Sequence, residues 1–138
     1  MLRQLTVLAI GSMLILSLMN VLATAKDITN KIDEKEAQRL AAMALSFHDP
    51  SDTSSLEPDS TPKSPFFDFY GIGRENGSYG YFAVNPWTGD VWALWGCRKL
   101  STVALRKAQG EIRRRFSAEE KKLYQELRKR KPICISGD

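Results

Sequence analysis

Residues 80–92 read Gly-Tyr-Phe-Ala-Val-Asn-Pro-Trp-Thr-Gly-Asp-Val-Trp and form the centre of an aromatic segment. That segment, residues 66–95, holds ten of the thirteen aromatic residues of the chain, including all three tryptophans. Aromatic and β-branched side chains suit a pleated, half-buried surface, whereas Gly, Asn and Pro are typical of turns. The segment therefore predicts a small antiparallel sheet.

Three strands of a meander are expected within this segment, at residues 66–74, 78–85 and 90–95. Asn76-Gly77 is typical of a tight hairpin, because both positions tolerate a positive φ. A longer turn is expected between the second and third strands, where Pro86 and Gly89 occur. Alternation along the strands predicts that one face packs on helices and the other is rich in aromatic side chains.

A helix is expected before the sheet and more helices after it. Asp33 and Glu36 have the spacing of a capping box, and the helix that they start is expected to end near Phe47. Later in the chain Ser101 or Thr102 caps a second helix. Ser117 and Glu120 form another capping box, so that helix is expected to break and restart, ending before Pro132. The predicted fold class is α+β, an N-terminal helix packed on a three-stranded antiparallel meander sheet, followed by C-terminal helices.

Residues 1–25 have the features of a signal peptide. Arg3 precedes an uncharged apolar stretch from Leu5 to Leu22, and Ala23-Thr24-Ala25 resembles a cleavage site. The alternative is an uncleaved membrane anchor, since the apolar stretch approaches spanning length. We expect cleavage, which leaves a single α+β domain at residues 26–138 in a periplasmic or secreted location, without stable membrane insertion.

Residues 49–64 differ in composition from the rest of the expected domain. Ser, Thr, Asp and Pro dominate, and Leu56 is the one large apolar residue. Such a composition predicts a flexible linker or loop that contributes nothing to the core.

The chain has two cysteines, Cys97 and Cys134. In an oxidising compartment an even pair predicts one disulfide, and two unrelated buried thiols are the alternative. A zinc site is not expected, because the chain has one histidine and no further cysteine. No metal or cofactor is predicted.

The net charge of +4 conceals a strong segregation. Residues 98–131 contain thirteen Lys or Arg and four Glu, whereas residues 26–97 contain six basic and eleven acidic residues. A basic C-terminal part suits an acidic protein, anionic lipid or nucleic acid. An exported protein rarely meets nucleic acid, so no such partner is expected. An ordinary solvated helix face is the alternative.

Catalytic groups are sparse. His48 is the sole histidine, and the sequence has no Gly-x-Ser-x-Gly elbow for a nucleophile beside it. The acidic pairs lie at expected helix starts, where capping explains them. No catalytic residues and no enzyme activity are predicted.

A binding surface is therefore the expected functional site. Aromatic residues and arginines dominate protein interfaces, although most of these aromatic side chains could instead form the core of a small domain. Trp87 is expected to be exposed, because it lies in a turn between strands, and the arginines offer charge-assisted bonds to acidic groups. The candidate partner-binding residues are Tyr79, Tyr81, Trp87, Trp92, Arg113, Arg114 and Arg115.

Two segments resemble the PepSY family. Residues 33–37, continuing to Ala44, are similar to the opening helix of that family, and residues 80–85 followed by Thr88-Gly89-Asp90-Val91 are similar to its strand, turn and return strand. The resemblance covers about sixty residues. It implies a non-catalytic module outside the cytoplasm that binds or restrains a protein, often a peptidase.

A looser similarity is to periplasmic immunity proteins, which are small exported chains that block toxic enzymes delivered between bacteria. It implies a protein partner, most simply a secreted effector acting on the envelope or on peptidoglycan. In such an inhibitor the turn at residues 86–90 is expected to insert into the target's cleft. An open sheet edge also allows a homodimer.

Overall fold

The computed structural model describes residues 30–45, 55–60, 64–73 and 77–136. The expected signal peptide, residues 1–25, and His48 lie outside these ranges. The chain divides after Lys31, and Ile32–Asp138 form one compact unit. The elements are α1 (Glu34–Ala44), β1 (Leu56–Pro58), β2 (Phe67–Ile72), β3 (Ser78–Val84), β4 (Val91–Ala93), β5 (Arg98–Lys99), α2 (Val103–Arg114) and α3 (Lys121–Lys129).

The predicted α+β class is confirmed, with three helices and five strands in the described part of the chain. Each strand pairs antiparallel with the next, in the spatial order β1-β2-β3-β4-β5. The three predicted strands correspond to β2, β3 and β4, and their bounds differ from the predicted ones by two residues or fewer. Strands β1 and β5 were not predicted.

Strand β1 lies inside residues 49–64, for which a loop without a core residue was expected. That expectation was wrong for Leu56, which is 2% exposed and belongs to the core. Leu56 pairs with Gly71, and Nε2 of Gln38 on α1 donates a hydrogen bond to its carbonyl oxygen at 2.5 Å. Burial of one large apolar side chain and pairing of its backbone thus hold a short edge strand in place.

The strand register sorts side chains onto two faces. Phe67 and Phe69 of β2 lie opposite Val84 and Phe82 of β3, and all four contact the main core with α1 and α2. The alternating residues point away from the helices, on what we call the open face. The open face carries Asp68, Tyr70, Tyr81, Ala83 and Trp92.

Helices α1 and α2 begin where their capping residues predict. Oδ1 of Asp33 accepts a hydrogen bond from the N–H of Glu36 at 2.7 Å, and α1 ends at Ala44, three residues before Phe47. The hydroxyl oxygen of Thr102 accepts from the N–H of Leu105 at 3.1 Å. These caps orient the apolar stripes of α1 and α2 toward the sheet.

The second capping box does not begin α3 at Ser117, because Glu120 is the N-cap of this helix. The Glu120 carboxylate accepts a hydrogen bond from the N–H of Ser117 at 2.7 Å, and α3 starts one residue later. Its buried residues, Tyr124 and Leu127, pack with Phe116 in a smaller second cluster. None of the helices in the described ranges is long and apolar enough to cross a bilayer.

The predicted disulfide between Cys97 and Cys134 is confirmed, with the two Cα atoms 5.4 Å apart. It fixes the C-terminal tail beside the end of β4. There the N–H of Ile135 donates to the carbonyl oxygen of Leu94 at 3.1 Å, and Ile135 forms a parallel bridge with Trp95.

Candidate functional site

The turn between β3 and β4 is buried, not exposed. Trp87 is 6% exposed and packs against Phe116, Tyr124 and Leu127. The Arg130 guanidinium lies 4.4 Å from the centroid of the Trp87 ring. The expectation that Trp87 is exposed was therefore wrong. Replacing Trp87 would mainly destabilise the core and would not directly change a binding surface.

Asn85 explains this burial. Its Oδ1 accepts hydrogen bonds from the N–H groups of Trp87 (3.0 Å) and Thr88 (3.3 Å), and its Nδ2 donates to the Leu127 carbonyl oxygen at the end of α3 (3.0 Å). All of these groups are buried. One amide thus shapes the turn and fastens it to a helix.

Gly89 completes the same turn. Its φ is +70°, and an added Cβ would lie 2.7 Å from Cδ1 of Ile112 and 3.0 Å from Cδ1 of Leu40. A turn that is clamped between α1 and α2 in this way cannot enter another protein's cleft. The expectation that residues 86–90 form an inserting loop was wrong.

Three aromatic side chains form a continuous row on the open face. The ring centroids of Tyr70 and Tyr81 are 5.0 Å apart, and those of Tyr81 and Trp95 are 5.8 Å apart. Trp95 is 53% exposed, and the two tyrosines are half-buried. We call Tyr70, Tyr81 and Trp95 the aromatic row. A half-exposed indole at its end gives it the chemistry of an interface anchor.

Trp92 lies further along the open face and is more buried. It is opposite Ala83, and Nζ of Lys99 is 6.0 Å from the centroid of its ring. The same ammonium group pairs with Oδ2 of Asp90 at 2.9 Å. Nε1 of Trp92 is buried and makes no hydrogen bond with the described residues. The role of Trp92 is therefore explained mostly by packing within the protein.

Tyr79 is 48% exposed, but it stands next to a β-bulge. The register shifts so that Gly71 pairs with Gly80 while Ile72 pairs with Ser78, and Gly80 has a φ of +103°. Tyr79 thus falls outside the regular alternation that builds the aromatic row.

The three consecutive arginines are exposed, and they form the last two residues of α2 and its C-cap. Leu105 and Ile112 of this helix face the main core. Arg115 makes a bidentate ion pair with Glu36 at 2.5 and 3.1 Å, which joins the end of α2 to α1. Arg114 pairs with Glu111 on the same helix. The structure therefore does not bring these arginines together with the aromatic row.

Arg113 and Arg114 line a cleft of about 480 Å³ between α2 and α3. Lys121 and Tyr124 form its other wall. This basic cleft is defined by those four residues and is separate from the open face.

The opposite end of the open face is acidic. Asp68 is 8% exposed, and burial raises the pKa of its carboxyl from 3.8 to about 6, with a smaller contribution from the charge of Asp59. Glu57 lies opposite Tyr70, so it shares this face with the aromatic row. A buried acid on the same face as the half-buried tyrosines was not predicted from the sequence.

The raised pKa of Asp68 predicts a pH-dependent stability. Because the folded state binds the proton more tightly than the unfolded chain, the protein should lose about 2 to 3 kcal/mol as pH rises from about 4 to about 6. Asp68→Asn should remove that loss and be more stable than wild type at pH 7. Urea unfolding of the full chain at pH 4 and pH 7 measures both.

Glu126→Gln is the matched control for that measurement, since it removes one exposed carboxylate that pairs only within α3. It should keep the wild-type pH dependence. Equal losses of stability in the Asp68→Asn and wild-type proteins would contradict the assignment to Asp68.

Trp95 is the main functional candidate that the sequence pattern misplaced. Strict alternation over the expected strand 90–95 would place Trp95 on the side of Val91 and Ala93. However, β4 ends at Ala93, and the N–H of Leu94 then donates to the Tyr81 carbonyl oxygen at 2.9 Å. The sequence signal for an earlier end of the strand was the glycine at position 96, which adopts a φ of +75° in the structure.

Within the described ranges, no group of three or more His, Cys, Asp or Glu side chains is placed to hold a metal ion. The sequence matches no family model and no curated protein. The PepSY resemblance thus has no support beyond the two segments that suggested it.

A solved structure described as a type VI secretion system effector-immunity complex from Pseudomonas protegens is similar to this chain. The sequences are 22% identical, the TM-score is 0.47, and the match covers 70% of this chain and 88% of the other. The description includes the class of protein named by the looser resemblance. A likeness at this level leaves the function to be argued from the chain's own surface.

Proposed function

We propose that this protein is an exported, non-catalytic binding protein that docks a protein partner on its aromatic row. The observation that carries the proposal is the exposure of Trp95, 53%, at the end of a stacked row on the open face of the sheet. Large aromatic side chains in such a position supply most of the binding energy in many protein interfaces.

The neighbourhood of Trp95 enlarges this surface. Ile133 is 67% exposed and Ile135 is 38% exposed, and Ile135 bridges to Trp95. Contiguous apolar surface of this kind marks interaction sites on small proteins. The aromatic row and the disulfide-fastened tail thus offer one rigid docking surface.

The proposed location is the periplasm or the exterior. The Cys97–Cys134 disulfide supports an oxidising compartment, and the apolar segment at residues 5–22 supports export. Within that compartment the proposed partner is a secreted enzyme that acts on the envelope or on peptidoglycan, which the protein inhibits as an immunity protein does. Because the turn at residues 86–90 is buried, inhibition would operate through the sheet face covering the enzyme.

Trp95→Ala tests this proposal. A pull-down with the full chain from an envelope extract should recover one envelope-acting enzyme at equal stoichiometry. The variant should bind that enzyme about thirtyfold more weakly or worse, because truncation of an interface anchor costs about 2 kcal/mol or more. Titration calorimetry measures the affinity.

Val103→Ala is the matched control, since Val103 is a 76% exposed apolar residue on α2, away from the open face. It should bind like wild type. An unchanged affinity in Trp95→Ala would remove the aromatic row from the proposed interface.

The basic cleft favours a second candidate function, binding of an anionic polymer or lipid surface. Arg113, Arg114 and Lys121 bring three cationic side chains to its walls. Binding of that kind weakens steeply with salt, whereas a complex through the aromatic row is only partly screened. Recovery of polymer or lipid alone in the pull-down would favour this function.

A homodimer stays a prediction. The two edge strands, β1 and β5, have three and two residues. Edges this short offer few backbone groups to a second copy.

A further inference from the structure

Each of the two helical walls of the basic cleft is built from residues on one helix face. On α2, Gly110 is three residues before Arg113 and four before Arg114. On α3, Lys121 is three residues before Tyr124. Residues at these spacings are neighbours on a helix surface. The two faces enclose one cavity of about 480 Å³, a volume typical of pockets that bind small molecules.

The protein neutralises only part of the positive charge in the cleft. Arg114 pairs with Glu111 on the same helix. The side chains of Arg113 and Lys121 form no ion pair or hydrogen bond with any described residue. No acidic residue of the described ranges lines the cavity. Positive charges on both walls would therefore be stabilised by an anion between them.

The start of α3 adds to this positive potential. Its N-cap, Glu120, makes no side-chain cap hydrogen bond, and the first turn contains no acidic residue. Lys121 and Lys122 occupy that turn. Because the N-terminus of a helix carries a partial positive charge, lysines are unfavourable there and an anion is favourable. A bound anion would offset both effects.

Tyr124 adds a neutral hydrogen-bond donor to the cleft. The residue is 5% exposed, and its hydroxyl forms no hydrogen bond with a described residue. In the described ranges, the buried side-chain atoms that lack a hydrogen bond belong to Asp90 and Trp92, so the Tyr124 oxygen is accessible. Burial raises the pKa of this phenol, with a smaller contribution from the charge of Asp90. The hydroxyl therefore stays protonated at neutral pH and can donate to a ligand.

Gly110 keeps the α2 wall of the cleft free of a side chain. A Cβ added at this position would meet no heavy atom within 4 Å. Packing therefore does not require glycine here, although glycine inside a helix is less favourable than any other residue except proline. The missing side chain leaves room for a ligand to approach the backbone of α2.

We propose that the basic cleft binds the phosphate group of a phosphate monoester, with Arg113, Lys121 and Tyr124 as the hydrogen-bond donors. Such a group presents three acceptor oxygens in different directions, so donors from two helices can bond it together. A carboxylate presents two oxygens in one plane. The cavity also has room for the organic part of the ester, which would lie over Gly110 and beside Phe116.

The proposal rests on the second candidate function, because both place an anion in the basic cleft. It adds the chemical group that is recognised and the side chains that recognise it. A smooth basic surface would bind any polyanion according to its charge, whereas this site should distinguish phosphate from carboxylate.

The probe is glycerol 1-phosphate, titrated into the isotope-labelled full chain while backbone amide signals are followed by NMR. Signals of residues 110–125 should shift with a dissociation constant of about 1 mM, and those of the aromatic row should not. Succinate at the same ionic strength should bind about fivefold more weakly, because one donor then lacks an acceptor. Equal binding of succinate, or shifts that are not confined to the cleft, would overturn the proposal.

Two substitutions test the donors. Tyr124→Phe keeps the aromatic ring in the second cluster and should weaken binding of glycerol 1-phosphate about fivefold. Arg113→Gln should weaken it about tenfold or more, since a charge-assisted hydrogen bond is lost. Arg39→Gln is the matched control, because it removes an exposed arginine on α1 that does not line the cleft. Wild-type binding by Tyr124→Phe, or equal weakening by the two arginine variants, would contradict a defined site.

Gly110→Leu tests the open wall. Leucine favours the helix more than glycine does, so the variant should unfold at a higher urea concentration than wild type. Its side chain would occupy the cleft, and binding of glycerol 1-phosphate should weaken at least about fivefold. A more stable variant with wild-type affinity would show that the ligand does not lie over Gly110.

Vesicles of phosphatidylcholine containing phosphatidic acid present the same phosphate group on a membrane. Binding to them that glycerol 1-phosphate displaces would identify a lipid as the source, and no binding would identify a soluble ester or polymer. Both outcomes require the phosphate site. If the pull-down recovers lipid or polymer but all cleft variants bind it like wild type, the second candidate function stands and this site is wrong. If glycerol 1-phosphate binds the cleft but neither lipid nor polymer is recovered, the site stands and that function is wrong.

Discussion

Replacing Asn85 with Ala is expected to lower the free energy of unfolding by about 3 to 5 kcal/mol. The substitution leaves the buried N–H groups of Trp87 and Thr88 without the Asn85 oxygen. The Leu127 carbonyl loses the Asn85 amide and keeps the N–H of Arg130 at 3.3 Å. Each unsatisfied buried group costs about 1 to 3 kcal/mol, more than the net value of the hydrogen bond that it loses. Urea unfolding of the full chain measures the difference.

Gln125→Ala is the control for that measurement, because it also removes a side-chain amide but from an exposed position on α3. Its effect should stay within about 0.5 kcal/mol. If Asn85→Ala costs less than about 1 kcal/mol, the turn does not depend on this amide, and another contact must hold Trp87 in the second cluster.

The Asn85 turn also illustrates a limit of sequence patterns. Asn, Pro and Gly between two apolar runs correctly predict a turn. Whether that turn is exposed depends on what covers it, and the covering group, Leu127, is 42 residues away in the sequence. Local composition contains no information about such a contact, so a polar turn between strands was taken to be a surface.

Elements whose cause is local were predicted more accurately. Asp33 and Thr102 cap their helices through hydrogen bonds to residues three positions away, a spacing that the sequence displays directly. The fold class and the division of the sheet into two faces follow from alternation over several residues, and both are confirmed. The disulfide is also confirmed. Its pairing could be predicted because two cysteines allow a single pairing.

The candidate site was only partly predictable for a related reason. Tyr81 was among the candidate residues and lies on the open face, whereas Trp95 was not among them, because its placement required the end of β4 to be known. Asp68 has the alternation of a solvent-facing strand residue. Its backbone carbonyl accepts a hydrogen bond from the N–H of Asp59 at 2.8 Å, next to the unpredicted strand β1, so its surroundings could not be read from the alternation of β2.

Removal of the disulfide, as Cys97→Ser with Cys134→Ser, should lower the free energy of unfolding by roughly 3 to 4 kcal/mol. The two cysteines are 37 residues apart, and the cross-link restricts the unfolded chain over that loop. Urea unfolding of wild type in reductant should reproduce the value for the double variant. An unchanged midpoint in both would show that the bridge adds nothing to stability.

Removal of the disulfide should also affect the docking surface. Cys97 is two residues after Trp95, and Ile135, one residue after Cys134, bridges to Trp95. Without the covalent link the tail keeps the hydrogen bond from Ile135 to Leu94, the bridge to Trp95 and its packing. Trp95 should then be quenched more readily by iodide, and partner affinity should fall. Wild-type quenching and affinity in a destabilised but folded variant would confine the disulfide to stability. A loss of affinity that exceeds the unfolded fraction would mean that the bridge prearranges the aromatic row for its partner.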